Sequence, residues 1–212
     1  QMVAGVTPGK VVVIGGGVAG LNAAQMAHGL RADVTIIDIS PDRLVQIDSE
    51  FNGQVKTQMS TAYAIERAIA DADLVIGSVL VPGARAPKLV TNAMVSKAKA
   101  GAVFVDIAVD QGGCFADTHA TTHAEPTYRV HDAVFYAVAN MPGAVPVTST
   151  YALTNATLPY VTRLADAGWR DALRADRTLA RGLSTIDGTL TSEPVAEAWG
   201  HSFTPIKHVL AA

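Results

Sequence analysis

Along this chain, unbroken apolar runs alternate with stretches whose apolar positions recur at helical spacing. Val11-Val12-Val13-Ile14 is a continuous β-branched run, and such a run, with no polar alternation, suits a strand buried on both faces. Similar runs follow at 34–37, 74–80, 102–109 and 134–138, while the more polar 54–58 suits a strand near the sheet edge. Between them lie predicted helices. One follows the glycines over 21–27. Another begins at Ser40-Pro41-Asp42, with proline near its first turn, and stops at Asn52-Gly53. A third spans 61–70, capped by Ser60, with Ala62, Ile65, Ala68 and Ile69 on one side. A fourth covers 88–99 after a turn at Pro82-Gly83, and a glycine- and His/Thr-rich loop occupies 111–127.

Strands alternating with helices over roughly 10–141 predict an α/β fold, a Rossmann doubly wound parallel sheet. After Thr148 the rhythm changes to helices alone, over 149–167, 171–180 and 193–199, with Pro159 expected to bend the first or mark a start. The expected organisation is a linker at 1–9, a dinucleotide-binding domain at 10–147, and a C-terminal helical segment at 148–212. That last segment is too thin to stand as an independent domain.

The first strand runs into Gly15-Gly16-Gly17-Val18-Ala19-Gly20, and a helix follows. In this Gly-x-Gly-x-x-Gly fingerprint Gly15 permits the tight turn, Gly17 lets backbone approach a pyrophosphate, and Gly20 lets helix and strand pack closely. The phosphates would meet the N–H groups of Val18, Ala19 and Gly20 at the helix start. The second strand ends at Asp38, about 20 residues on, where an acid accepts hydrogen bonds from an adenosine ribose and repels a 2′-phosphate. NAD is the expected cofactor, with Arg43 close enough in sequence to lie beside the adenosine. Ligands bind such sheets at the carboxyl ends of the strands, which places Gly15, Asp38, Ser78, Val79, Leu80, Asp110 and Asn140 at one edge.

Composition adds bounds. The 212 residues are 49% hydrophobic and 17% charged, with a net charge of −3, and the mean hydropathy is +0.25 with a pI near 6.0. These values suit a packed core and carry no basic footprint for nucleic acid. No apolar run reaches membrane-spanning length. The single cysteine, Cys114, fits a reducing compartment and hence the cytoplasm. The opening Gln-Met-Val-Ala-Gly-Val-Thr-Pro-Gly reads as a linker entering a domain, so a fragment of a longer protein is expected. His119 and His123 stand four apart, but no trusted spacing supplies further ligands, and no metal site is expected. Asp106, inside an apolar strand, needs partners and reads as structural or as a support behind the residues of the site.

Four runs together resemble the alanine dehydrogenases: Lys88-Leu89-Val90; Val105-Asp106-Ile107-Ala108-Val109-Asp110-Gln111-Gly112-Gly113-Cys114; Val138-Ala139-Asn140-Met141-Pro142; and Ser149-Thr150-Tyr151-Ala152-Leu153-Thr154-Asn155-Ala156-Thr157-Leu158-Pro159-Tyr160. The likeness covers nearly the whole chain. Nicotinamide nucleotide transhydrogenase α-subunits share the glycine fingerprint but match these runs less well, and remain the alternative enzyme. The resemblance implies an NAD-dependent oxidoreductase that interconverts L-alanine with pyruvate and ammonia, commonly as a homo-oligomer, a hexamer in that family. It also implies that an N-terminal substrate domain, bearing the catalytic histidine, precedes these residues and receives the C-terminal helices. Asp110, beside a flexible Gln-Gly-Gly loop, inherits a part in proton transfer. Ser60, Val79 and Leu80 match the adenine and ribose wall, Asn140 is placed to bond the nicotinamide carboxamide, and Ile107, Val138 and Met141 are also expected to bind the cofactor. The chain by itself is then expected to bind NAD without turnover. The second reading is a non-catalytic dinucleotide-binding module.

Overall fold

The computed structural model describes residues 3–81 and 86–211, so the turn expected at Pro82-Gly83 lies outside the described residues. These residues divide into two compact units, 3–81 with 86–141, and 142–211.

The first unit contains β1 (Lys10–Ile14), α1 (Val18–Gly29), β2 (Asp33–Asp38), α2 (Pro41–Glu50), β3 (Lys56–Met59), α3 (Ala62–Ile69) and β4 (Leu74–Gly77). It continues with α4 (Asn92–Val95), β5 (Val103–Asp106), β6 (Thr127–Val130) and β7 (Ala133–Tyr136). The seven strands form one sheet in the order β3-β2-β1-β4-β5-β7-β6. Every neighbouring pair is parallel except the β6–β7 hairpin. The chain winds outward from β1 to β3, then returns to place β4 on the other side of β1. This is the doubly wound topology, and its switch point lies between β1 and β4.

Two apolar layers explain the unbroken β-branched runs. Val11, Val13, Val34 and Ile36 pack with Ala24, Ala27, Ile47 and Phe51, the inner residues of α1 and α2 and their flank. Val12, Ile14 and Ile37 face the other way, against Ile65, Ile69, Val95 and Phe104. With both faces dry, a strand has no polar side to present. Three rings close the second layer: Phe104 stacks on Phe135 at 5.1 Å, and Phe115 meets both edge-on at 5.6 and 5.8 Å.

Local chemistry sets the helix starts. Ser40 accepts from the Arg43 N–H ahead of Pro41. At α3 the cap is Thr61, which accepts from Ala64 N–H at 3.0 Å. Ser60, expected to be that cap, instead follows β3 and donates its N–H to the Asp38 carbonyl at 2.9 Å.

Several expected elements change form. The helix predicted over 88–99 is the single turn α4, because the backbone before it is taken up elsewhere. Leu89 and Val90 both donate N–H groups to the Cys114 carbonyl, and Val90 bridges Phe115 in parallel. The strands predicted to reach 80 and 109 stop at Gly77 and Asp106, where parallel pairing ends. Within the polar stretch before β7, β6 alternates half-buried Tyr128 and Val130 with exposed Thr127 and Arg129. That period-two pattern identifies it as a strand solvated on one face.

The second unit contains α5 (Pro146–Ala167), α6 (Trp169–Ala175), α7 (Arg177–Ala180), β8 (Thr185–Ile186), β9 (Thr189–Leu190), α8 (Glu193–Trp199) and α9 (Ile206–Ala211). The division between units falls after Met141, and a short turn over Met141–Ala144 leads into α5 at Pro146. The chain stays helical through Pro159, so no new helix starts there. The helix expected over 171–180 is two, parted by Asp176, whose extended backbone lets its carboxylate cap Thr178 and Leu179 N–H groups. The unit's small core holds Ala172, Leu173, Ala180 and Ala196, while α5 buries no side chain. No helix among the described residues is long and apolar enough to cross a membrane.

Candidate cofactor site

At the carboxyl end of β1 the glycines form a turn that side chains would obstruct. Gly15 has φ +101°, and a Cβ there would lie 2.9 Å from the Ser78 backbone carbon. At Gly20 a Cβ would stand 1.9 Å from the Gly15 carbonyl oxygen, so α1 seats against β1 only without one. Gly16, the unassigned position of the fingerprint, is closely packed too, but its Cβ would meet the end of a side chain, Ile47 Cδ1 at 2.6 Å, where Gly15 and Gly20 would meet backbone. Three glycines in a row are the signal for this. Gly17 differs: nothing lies within 4 Å of a Cβ added there. It is the N-cap of α1, with no side-chain cap and no acid in the first turn. The N–H groups of Gly17, Val18, Ala19 and Gly20 thus have no intrahelical acceptor, and a helix start of this kind, with open space beside Gly17, suits an anion.

Asp38 ends β2 beside this turn. Its Oδ2 accepts from Gly16 N–H at 2.7 Å and its Oδ1 from Ser40 N–H at 2.8 Å. Each oxygen keeps a further lone pair for a donor such as a ribose hydroxyl. Arg43 faces inward more than its sequence position suggests, donating its Nε–H to the Gly16 carbonyl at 2.6 Å. The peptide groups on either side of Gly16 are therefore held by an acid and a base. Ser78 is buried behind the turn, its hydroxyl directed at the carbonyls of Ile14 (3.0 Å) and Gly15 (2.8 Å). It braces the glycines from behind. Leu80 and Ile39 are open to solvent. Ile39 did not figure in the sequence reading, and the signal for it was an apolar residue directly after a strand-ending acid.

On the other side of the switch point, Ile107 follows β5, its N–H donating to the Gly77 carbonyl at 2.8 Å. Asp110 sits exposed in a 3-10 turn, Val109–Gln111, and not at a strand end. The glycine loop after it makes several contacts. Asp106, Lys88 and the buried ring of Phe115 all hold it. After β7, Val138 is buried and bridges Thr121 in parallel, and Asn140 follows exposed, its carbonyl 2.8 Å from His123 Nε2. Met141 opens the next turn. His119 stacks on Tyr128 with centroids 3.8 Å apart. Burial, reinforced by the charge of Asp106, pushes the Cys114 thiol up to about 11, so it stays protonated at neutral pH. No cluster of three His, Cys, Asp or Glu side chains suited to a metal occurs among the described residues.

This geometry has relatives. The family model described as "Alanine dehydrogenase/PNT, C-terminal domain" matches residues 1–193. The chain belongs to this family. Within the alanine dehydrogenase/PNT family it is 59% identical to the alanine dehydrogenase of Mycobacterium tuberculosis, over 99% of this chain and 56% of that protein. Against the alanine dehydrogenase of Mycolicibacterium smegmatis the identity is 57%, with the same shares covered. The chain thus spans a little over half the length of these relatives. A solved L-alanine dehydrogenase superposes with a TM-score of 0.84 at 50% identity, over 93% of this chain and 55% of the other. A transhydrogenase from Sinorhizobium meliloti gives 0.71 at 27% identity, over 91% and 53%. The likeness to the dehydrogenase is the greater by both measures.

Proposed function

We propose that this chain is the NAD-binding part of an L-alanine dehydrogenase, which reversibly converts L-alanine to pyruvate and ammonia. The observation that carries the reading is the start of α1 with no side-chain cap, preceded by a glycine turn that Asp38 holds at Gly16, in a chain with relatives named alanine dehydrogenases at up to 59% identity. The N–H groups from Gly17 to Gly20 would hold the pyrophosphate, and Asp38 the adenosine ribose, with Ser60, Val79, Leu80 and Ile39 around it. Bound NAD supplies the hydride acceptor. The protein's own work is to orient it over β4, β5 and β7, with Ile107, Val138, Asn140 and Met141 on the nicotinamide side. There Asp110 moves a proton at its carboxylate as ammonia is released. We extend the reading to a cytoplasmic homo-oligomer.

Calorimetry on the 212-residue chain tests this. NADH is expected to bind, and NADPH at least tenfold more weakly, because the Asp38 carboxylate repels a 2′-phosphate. An alanine-dependent assay of NAD reduction on the same chain is expected to show no turnover. Equal affinity for the two cofactors would sink the role of Asp38, and no binding of either would sink the cofactor reading.

A further inference from the structure

Asp106 ends β5 with only 1% of its surface exposed. A buried carboxylate is costly unless donors surround it. Here four do. Oδ1 accepts from Ala108 N–H at 3.1 Å. Oδ2 accepts from Cys114 N–H at 2.8 Å, Phe115 N–H at 3.3 Å and the Thr118 hydroxyl at 2.7 Å. The first partner lies just after β5 and the last about midway to β6, so a single carboxylate gathers the first part of the loop around itself.

The surroundings are shaped to this arrangement. Gly113 has φ +75°, and a Cβ there would lie 2.6 Å from Asp106 Oδ2 and 2.2 Å from Thr118 Cγ2. Lys88 adds a second clamp from outside, its ammonium donating to the carbonyls of Gly112 and Phe115. Between the clamped residues stands the exposed turn that carries Asp110. In the cofactor reading above, a dinucleotide crossing the switch point between β1 and β4 would lay its adenosine half over β1 and β2 and its nicotinamide half over β4, β5 and β7. The clamped loop belongs to the second half alone.

We propose that Asp106 is a positioning residue of the nicotinamide half. Its carboxylate fixes the path of residues 107–118 and thereby where Ile107 and Asp110 stand over the sheet edge. All four of its bonds point into the loop, so it acts through the loop and not by touching cofactor. This rests on the cofactor reading above.

NADH and ADP-ribose share everything except nicotinamide, so their comparison isolates this half. Asp106→Asn keeps the volume but offers one acceptor oxygen where four donors converge, and sets an NH2 group against N–H groups. Calorimetry on the 212-residue chain is expected to show NADH weakened at least tenfold and ADP-ribose by less than twofold. Thr118→Val removes one donor and keeps the shape, so about a threefold loss for NADH alone is expected. A purely structural carboxylate would lower both affinities in parallel through loss of folded protein, which a thermal melt reads directly. Parallel losses, or unchanged NADH affinity in a folded variant, would overturn the proposal. If Asp106→Asn does not fold, the ratio of the two losses in Thr118→Val decides. Failure of the unmutated chain to bind either ligand would sink the cofactor reading instead.

Discussion

The two halves of the sheet edge are built by opposite means. Around β1 and β2 the site is made by leaving atoms out: Gly15, Gly16 and Gly20 stand where any Cβ would collide, and Gly17 opens on empty space. Around β5 and β7 it is made by tying atoms down, with the buried Asp106 carboxylate accepting from four donors along one loop. Additions should harm the first site most and deletions the second, although Gly113 leaves no room for a Cβ in the second either. The halves should therefore fail differently under mutation.

The largest effect is expected at Gly20. In Gly20→Ala the new Cβ, 1.9 Å from the Gly15 carbonyl oxygen, forces α1 off β1, at about 3 kcal/mol or more by analogy with overpacked cores. Urea denaturation would read the loss, and NADH and ADP-ribose binding should vanish together, unlike the selective loss expected at Asp106. A variant that still bound ADP-ribose normally would break the contrast. Next is Arg43→Met, which removes the strut on the Gly16 carbonyl. Losing one partly exposed charged hydrogen bond should weaken both ligands about fivefold, or about 1 kcal/mol. A loss confined to NADH would place Arg43 on the wrong side of the comparison.

The smallest effect is expected at the amino edge of the sheet, which serves neither half. The Lys99 ammonium and the Lys10 backbone N–H hold the Asp73 carboxyl below its ordinary 3.8. Its stabilisation is complete above that ordinary value and is lost as pH falls through the depressed one. The group is largely solvated, so less than about 1 kcal/mol is at stake. Urea midpoints at pH 3 and pH 7 should differ slightly less in Asp73→Asn than in the unmutated chain, and its NADH affinity at pH 7 should be unchanged.

The same contrast explains what could be read from the residues alone. Glycines and β-branched runs announce themselves one residue at a time, so β1, its turn, α1, β2 and Asp38 were all legible. The tied half was less so. Asp106 was recognisable as a carboxylate in need of partners, but its donors come from a loop that no periodicity describes. The helix expected over 88–99 failed for a related reason: Leu89 and Val90 have helical spacing, yet their N–H groups are drawn to Cys114. Tertiary contact there overrides local propensity. The cap expected at Ser60 falls one residue later, at Thr61, because the Ser60 N–H is drawn to the Asp38 carbonyl. The β6–β7 turn at His131-Asp132 lacks the glycine or asparagine that usually marks a two-residue hairpin.

One contact described above also bears on how the chain reaches this state. The Ser78 hydroxyl that braces Gly15 joins residues 63 apart in sequence, and the same junction pairs β1 with β4. The floor of the cofactor site is thus a non-local closure, entropically slow compared with winding α1 or α2. Helical content is expected to accumulate first during refolding, with the proposed dinucleotide site complete only when the fourth strand docks beside the first.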